Sequence, residues 1–374
     1  MEGIIAGMKN ILLVFGTRPE AIKMAPLVKA LQTEPVITAK VCVTAQHRHM
    51  LDQVLHFFNI VPDYDLNLMK PGQNLYQLTA DVLVGLKTVL EDFKPDLVIV
   101  HGDTSTSTAA ALAAYYYGAK IAHIEAGLRT YDKQAPFPEE INRQLTGRLA
   151  DLHFSPTEQA KANLLREGID PYTVYVTGNT VIDALFEAAE KLKSYRDTEI
   201  EDMEQKIDSS KKLILVTAHR RENFGVGMDE ICKALRELAK RSDVQIVFPV
   251  HLNPQVQKPV YQYLGKLNNV LLLSPLGYPA FTWLMIKSYL ILTDSGGIQE
   301  EGPSIGKPVL VMRETSERPE AIDAGTVKLV GANCSRIYEN VTALLDQEEL
   351  YQRMSKSHNP YGDGKSCKRI LSAL

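Results

Sequence analysis

Cysteine is scarce in this 374-residue chain. Cys42, Cys232, Cys334 and Cys367 lie far apart, and none forms a C-x-x-C pair. A disulfide framework and a thiolate metal site are therefore not expected, and a reducing cytoplasm suits the chain best. Long apolar runs are missing as well. No stretch reaches the ~18 apolar residues that a membrane span needs, and residues 1–9 hold no apolar core bounded by a cleavage site. Nor does one charge dominate: 41 Lys and Arg stand against 45 Asp and Glu, a formal net charge of −4. That balance asks for neither nucleic acid nor an anionic membrane as partner.

What remains is the composition of a globular protein, 45% hydrophobic and 23% charged. At roughly 150 residues per domain the length suggests two domains, and two lobes with a cleft is the default expectation. The most informative stretch is Leu290 to Glu301. An apolar run of strand character stops at Asp294, Ser295-Gly296-Gly297 follows, and Ile298-Gln299-Glu300-Glu301 reads as the first turn of a helix. A strand, a tight turn and a helix N-terminus aim free N–H groups and the positive helix end at one spot, which suits a diphosphate. Glu301 is then placed to accept hydrogen bonds from sugar hydroxyls.

The same grammar opens the chain. Asn10–Gly16 reads as a buried strand ending in glycine, with Thr17 as candidate N-cap of a helix that carries Arg18 and Lys23 toward the carboxyl end of the strand. A second strand at Val36–Thr44 leads to a polar loop, Ala45–Met50. His47 and His49 there lack neighbouring carboxylates or cysteines at ligand spacing, so no metal is expected. A helix from Leu75 to Phe93 and a strand at Leu97–Val100 follow. Asp103 then stands where strand gives way to helix, as a cleft residue or simply an N-cap.

Residues 119–130 read as another strand with Glu125 on its apolar end, where a carboxylate is costly unless paired or functional. The loop Pro136–Arg143 supplies Glu139 and Glu140, one of which is expected to complement a helix dipole. Asp103, Glu125 and Glu139 are thus three acids from successive sheet-edge segments, able to supply a general acid and a general base to one substrate carbon.

The polar stretch Lys193–Lys212 reads as a linker and the start of a second lobe. Domain bounds are placed at 1–192, 193–355 and a tail, 356–374, packing back on the first domain. Leu213–Asn223 restarts the strand-and-turn pattern with His219, Arg220 and Arg221 as an anion-facing cluster. Strands at Gln245–His251 and Val270–Leu273 follow, and Pro275–Phe281 reads as a loop whose aromatics either pack on a nucleobase or, as is commoner, close a core edge.

In order along the chain, Gly16-Thr17-Arg18-Pro19-Glu20, His101-Gly102-Asp103-Thr104, Glu125–Thr130, Pro138-Glu139-Glu140, His219–Asn223, Asp294–Gly297 and Glu317-Arg318-Pro319-Glu320 resemble the non-hydrolysing UDP-N-acetylglucosamine 2-epimerases. The resemblance runs from about Leu12 to Ile370. It implies a GT-B-type α/β fold of two Rossmann-like, doubly wound domains facing a central cleft, in a homodimer that interconverts UDP-GlcNAc and UDP-ManNAc. It further implies anti elimination of UDP to 2-acetamidoglucal and re-addition on the other face, under domain closure, without nicotinamide or metal. By similarity Asp103, Glu125, Glu139 and His219 are catalytic, and Arg18, Lys23, Phe281, Ser295, Gly296, Gly297, Glu301 and Arg318 bind substrate. Gln46, Arg220 and His251 match a second, activating substrate pocket. The rival readings are a UDP-sugar-dependent glycosyltransferase, a hydrolysing epimerase, and a silent nucleotide-sugar sensor, the last disfavoured by the three acids.

Overall fold

Short strands that are apolar on both faces need cover on both sides, and this chain places such strands in two parallel sheets. The computed structural model describes residues 9–44, 48–68, 70, 72–316 and 318–374, with Arg48 and His49 described by backbone alone. Gln46, expected in the second pocket, and Glu317 of the last motif lie outside the described residues. The chain divides into two compact units. One takes the residues up to Glu187 together with Tyr361–Leu374, the other Ala188–Pro360.

Strands of the first unit are β1 (Asn10–Phe15), β2 (Thr38–Val43), β3 (Tyr64–Asp65), β4 (Leu97–His101), β5 (Lys120–Ile124), β6 (Leu152–Ser155) and β7 (Val174–Val176). They lie in the order β3-β2-β1-β4-β5-β6-β7, all paired in parallel. The second unit holds β8 (Lys212–Thr217), β9 (Val244–Pro249), β10 (Val270–Leu273), β11 (Leu290–Thr293), β12 (Val309–Val311) and β13 (Val327–Leu329). Their order is β10-β9-β8-β11-β12-β13, again parallel throughout. Each unit is a doubly wound α/β sheet, as expected for a GT-B-like fold. Strand order reverses between β1 and β4 in one and between β8 and β11 in the other. At such switch points the loops leaving the strands part to opposite faces and open a crevice at their carboxyl ends.

Several local expectations are corrected. Of the expected polar loop, residues 45–47 lie outside the described residues and the rest opens a helix at Arg48–Phe58, and strand β5 stops at Ile124 because Glu125 takes a left-handed φ of 62°. Within the stretch read as a linker, Asp197 caps a helix at Thr198–Lys206 by accepting the Ile200 N–H, and Ile200 and Met203 bury its apolar side. The aromatic loop stays irregular only over Pro275–Gly277 and then turns into a helix, Tyr278–Lys287, with Pro279 in its first turn where a missing N–H costs nothing. Tyr278 is buried there and Phe281 half-buried.

Candidate functional site

At the switch point of the first unit, Glu20 joins two strand ends. One of its carboxylate oxygens accepts the Gly16 and Thr17 N–H groups at 3.0 and 2.8 Å, closing a capping box with Thr17. The other accepts the hydroxyls of Thr104 and Ser107 at 2.6 and 3.0 Å. The turn after β1 is thereby tied to the turn after β4. A Cβ at Gly16 would lie 2.0 Å from Thr44 Oγ1, so only glycine lets these segments approach. Arg18 and Lys23 ride on the helix that Thr17 caps, Arg18–Gln32.

The N-cap after β4 is Thr104, whose hydroxyl accepts the Ser107 N–H. Asp103 is therefore not the cap. Its carboxylate pairs with Arg143, whose other guanidinium nitrogen reaches Glu140 at 3.2 Å. The Asn142 side chain donates to the Asp103 carbonyl at 2.9 Å. These contacts join Asp103 to the helix Glu139–Leu149.

Glu140 is the fully buried member of the Glu139-Glu140 pair. It accepts the N–H groups of Thr130 and Tyr131, and the Gln144 amide. Burial opposes its charge, but these donors and Arg143 outweigh that and hold its carboxyl below the usual range. Glu140 is therefore the structural acid. Glu139, half-buried, keeps its Oε2 out of solvent with no hydrogen-bond partner among the described residues.

Glu125 follows β5, and its left-handed backbone turns the side chain inward, 8% exposed. Lys23 Nζ makes a close ion pair with its Oε2. The Asn179 amide donates to the same oxygen at 2.9 Å, and His101 Nε2 stands 3.7 Å away. Burial pushes the His101 imidazole down to about 4, so it is neutral near pH 7. Lys23, expected among substrate ligands, thus stands first as the counter-ion of Glu125.

In the second unit the end of β11 organises the end of β8. Asp294, fully buried, accepts the N–H groups of His219 and Arg220 at 2.8 Å each and the Asn223 amide at 3.2 Å. Its other oxygen lies 3.1 Å from His219 Nδ1. Burial works against this carboxylate, yet the His219 ring and the N–H groups hold it below its ordinary range. His219 stacks on His251 with ring centroids 5.9 Å apart, so the structure brings His219, His251 and the backbone of Arg220 together.

The glycine turn leads into the helix Ile298–Ser304, which has no side-chain cap. Gly297 is exposed, and a Cβ on it would meet Glu301 Oε2 at 3.6 Å, so the Glu301 carboxylate lies over the turn. Arg318 Nε donates to the buried Glu300 at 2.6 Å, which fixes Arg318 beside the same helix. Ser316 Oγ, donating to Gln299 Oε1 at 2.6 Å, pins the loop that carries it. Phe281 lies half-buried on the helix that precedes β11. No group of three or more His, Cys, Asp or Glu among the described residues is arranged to hold a metal ion.

Glu20, Asp294 and Asn179 were not among the expected site residues. For Asp294 a signal existed, an acid closing the apolar run Leu290–Leu292. Asn179 carried none, since its partners come from distant segments.

The family model for UDP-N-acetylglucosamine 2-epimerase matches residues 29–374. The UDP-N-acetylglucosamine 2-epimerase of Escherichia coli (strain K12) is 59% identical over 368 residues, which cover 98% of each chain. A crystal structure of UDP-GlcNAc 2-epimerase from Neisseria meningitidis bound to UDP-GlcNAc superposes with a TM-score of 0.88 at 54% identity, over 98% of this chain and 99% of that one. A glycosyltransferase from Rickettsia africae, 16% identical with a TM-score of 0.63 over 98% and 97% of the two chains, shares the fold alone. With its acids at one set of strand ends and its histidine and glycine turn at the other, the chain belongs to the UDP-N-acetylglucosamine 2-epimerase family.

Proposed function

We propose that the chain interconverts UDP-GlcNAc and UDP-ManNAc by anti elimination and re-addition of UDP. A proton on carbon 2, next to an acetal carbon, is only weakly acidic, so its removal must accompany departure of a stabilised diphosphate. A carboxylate takes that proton as the C1–O bond breaks and its electron pair leaves with the UDP oxygen, giving 2-acetamidoglucal. UDP then adds back to carbon 1 while an acid protonates carbon 2 on the other face.

Asp103, Glu125 and Glu139 are the candidate acids and bases. Arg18, His219 and the Ser295-Gly296-Gly297 turn hold the diphosphate, Glu301 the ribose, and Phe281 and Arg318 the base and phosphate end. The single observation that carries this reading is Glu125, a carboxylate in a left-handed backbone at the carboxyl end of β5, held by Asn179 and by Lys23 from the helix that follows β1. A homodimer in the cytoplasm, supplying ManNAc units for cell-surface polysaccharide, completes the proposal.

Incubation with UDP-GlcNAc alone in deuterated water tests it. UDP-ManNAc carrying deuterium at carbon 2 is the expected product. Release of free ManNAc with UDP would indicate a hydrolysing enzyme, and no exchange at all would sink the epimerase reading.

A further inference from the structure

We infer that Asn179 is a positioning residue for Glu125, set in place by the C-terminal segment that returns to the first unit. The inference rests on the proposed role of Glu125 in moving the carbon 2 proton.

Asn179 is 2% exposed, and both ends of its amide are committed. Its Oδ1 accepts the Val181 N–H at 3.1 Å, which fixes the orientation of the amide and leaves Nδ2 to donate to Glu125 at 2.9 Å. Its main-chain N–H donates to the Tyr361 carbonyl at 2.7 Å. A donor aimed at a carboxylate both stabilises the charged form and fixes the direction in which the oxygens face.

The Tyr361 carbonyl is itself held on several sides. The Tyr361 ring is 1% exposed. Gly362 has a φ of 145°, and a Cβ there would stand 3.6 Å from the Asn179 nitrogen. On the facing side Gly178 has a φ of 86°, where a Cβ would come within 2.8 Å of Ser366 Oγ. Further on, the Asp183 carboxylate accepts the N–H groups of Ser366 and Cys367 at 3.1 and 2.9 Å. Arg369 grips Asp363 with both guanidinium nitrogens and also donates to the Thr177 carbonyl at 3.1 Å. The segment therefore brackets Thr177–Asp183 and delivers its carbonyl to Asn179. Charged and titratable groups facing Glu125 include Lys23 from the first helix and the neutral His101 from the end of β4.

The test is steady-state kinetics with UDP-GlcNAc across pH, on the full chain. In Asn179→Ala, kcat falls roughly tenfold or more while KM moves less than about threefold. The limb of the pH profile that Glu125→Gln abolishes moves up by about one pH unit, because the carboxylate has lost a donor to its charged form. Asn179→Asp keeps the acceptor for Val181 and the side-chain shape, so it serves if the alanine variant does not fold, and its added negative charge moves that limb further. In Glu125→Gln/Asn179→Ala the second change costs less than about twofold, since Asn179 acts through Glu125.

Gly362→Ala, and Gly178→Ala from the other side, displace the Tyr361 carbonyl and reproduce the upward limb shift. Wild-type kcat with an unmoved limb in the Asn179 variants, or fully additive losses in the double variant, overturns the inference. An unmoved limb in folded Gly362→Ala and Gly178→Ala overturns the part assigned to the C-terminal segment. Wild-type turnover in Glu125→Gln would instead remove the reading of Glu125 on which all this stands.

Discussion

The Asp294 carboxylate accepts the main-chain N–H groups of His219 and Arg220 at 2.8 Å each and comes within 3.1 Å of the His219 ring. One buried acid at the end of β11 thereby shapes the loop after β8 and orients an imidazole at the second switch point. Asp294→Asn keeps the size but removes the charge and turns one acceptor oxygen into a donor, so that either the two N–H groups or the His219 ring loses its acceptor. We expect a loss of about 1–3 kcal/mol in stability, measured by urea unfolding, together with weaker UDP binding by calorimetry. Unchanged UDP affinity would show that the loop's geometry does not depend on this acid.

Glu125→Gln is predicted to lose most turnover while keeping UDP affinity. The amide preserves the shape of the side chain but cannot exchange a proton with carbon 2. A wild-type rate in this variant would refute the role of Glu125.

Gly16→Ala tests the close approach of the turn after β1 to Thr44 and Thr106. The new methyl would overlap Thr44 Oγ1, at 2.0 Å, and crowd Thr106 Oγ1, at 2.9 Å. Overpacking of this kind costs about 1–3 kcal/mol, read as a lower denaturation midpoint at unchanged slope. A midpoint equal to that of the wild type would mean that the two threonines give way freely.

Acid should weaken the fold well above the range of its carboxylates. Burial pushes His101 down to about 4 and His123 to about 3, and it lowers His153 as well. In the unfolded chain these rings take up protons near pH 6.5. Between that pH and their folded values the unfolded state binds more protons than the folded one. The stability these neutral rings contribute is thus present above about pH 6.5 and is lost as the pH falls toward 4. His101 and His123 each contribute up to about 1.4 kcal/mol per pH unit in that window, and His153 adds to the loss in the same direction. Urea midpoints at pH 7.5 and 5.5 measure the loss, and His123→Gln should flatten it.

Much of the fold was legible because a doubly wound sheet repeats a simple pattern. The apolar runs at Asn10–Phe15 and Leu290–Thr293 end in glycine turns, and the helix at Leu75–Phe93 falls on the expected residues. The expected loop at Pro275–Phe281 holds only as far as Gly277, because Pro279 lies inside the first helical turn, where it starts a helix instead of breaking one. At the candidate site, acids on strand ends could be read from local pattern alone. Asn179 and the bridging role of Glu20 could not, since their partners lie 54 and up to 87 residues away along the chain. Glu139 and Glu140 sit side by side, and only burial and hydrogen-bond partners outside their helix separate the structural acid from its neighbour.

The first unit recruits Tyr361–Leu374 after the whole of Ala188–Pro360 has intervened. During synthesis the second unit is continuous, so all its contacts can close while the first still lacks the segment that brackets Thr177–Asp183. Domains generally fold as units in the order in which they are made. Here the earlier unit must wait for the later one to be translated before its own packing is complete. A released chain truncated after Pro360 would therefore carry a protease-resistant second unit and a first unit still open to cleavage.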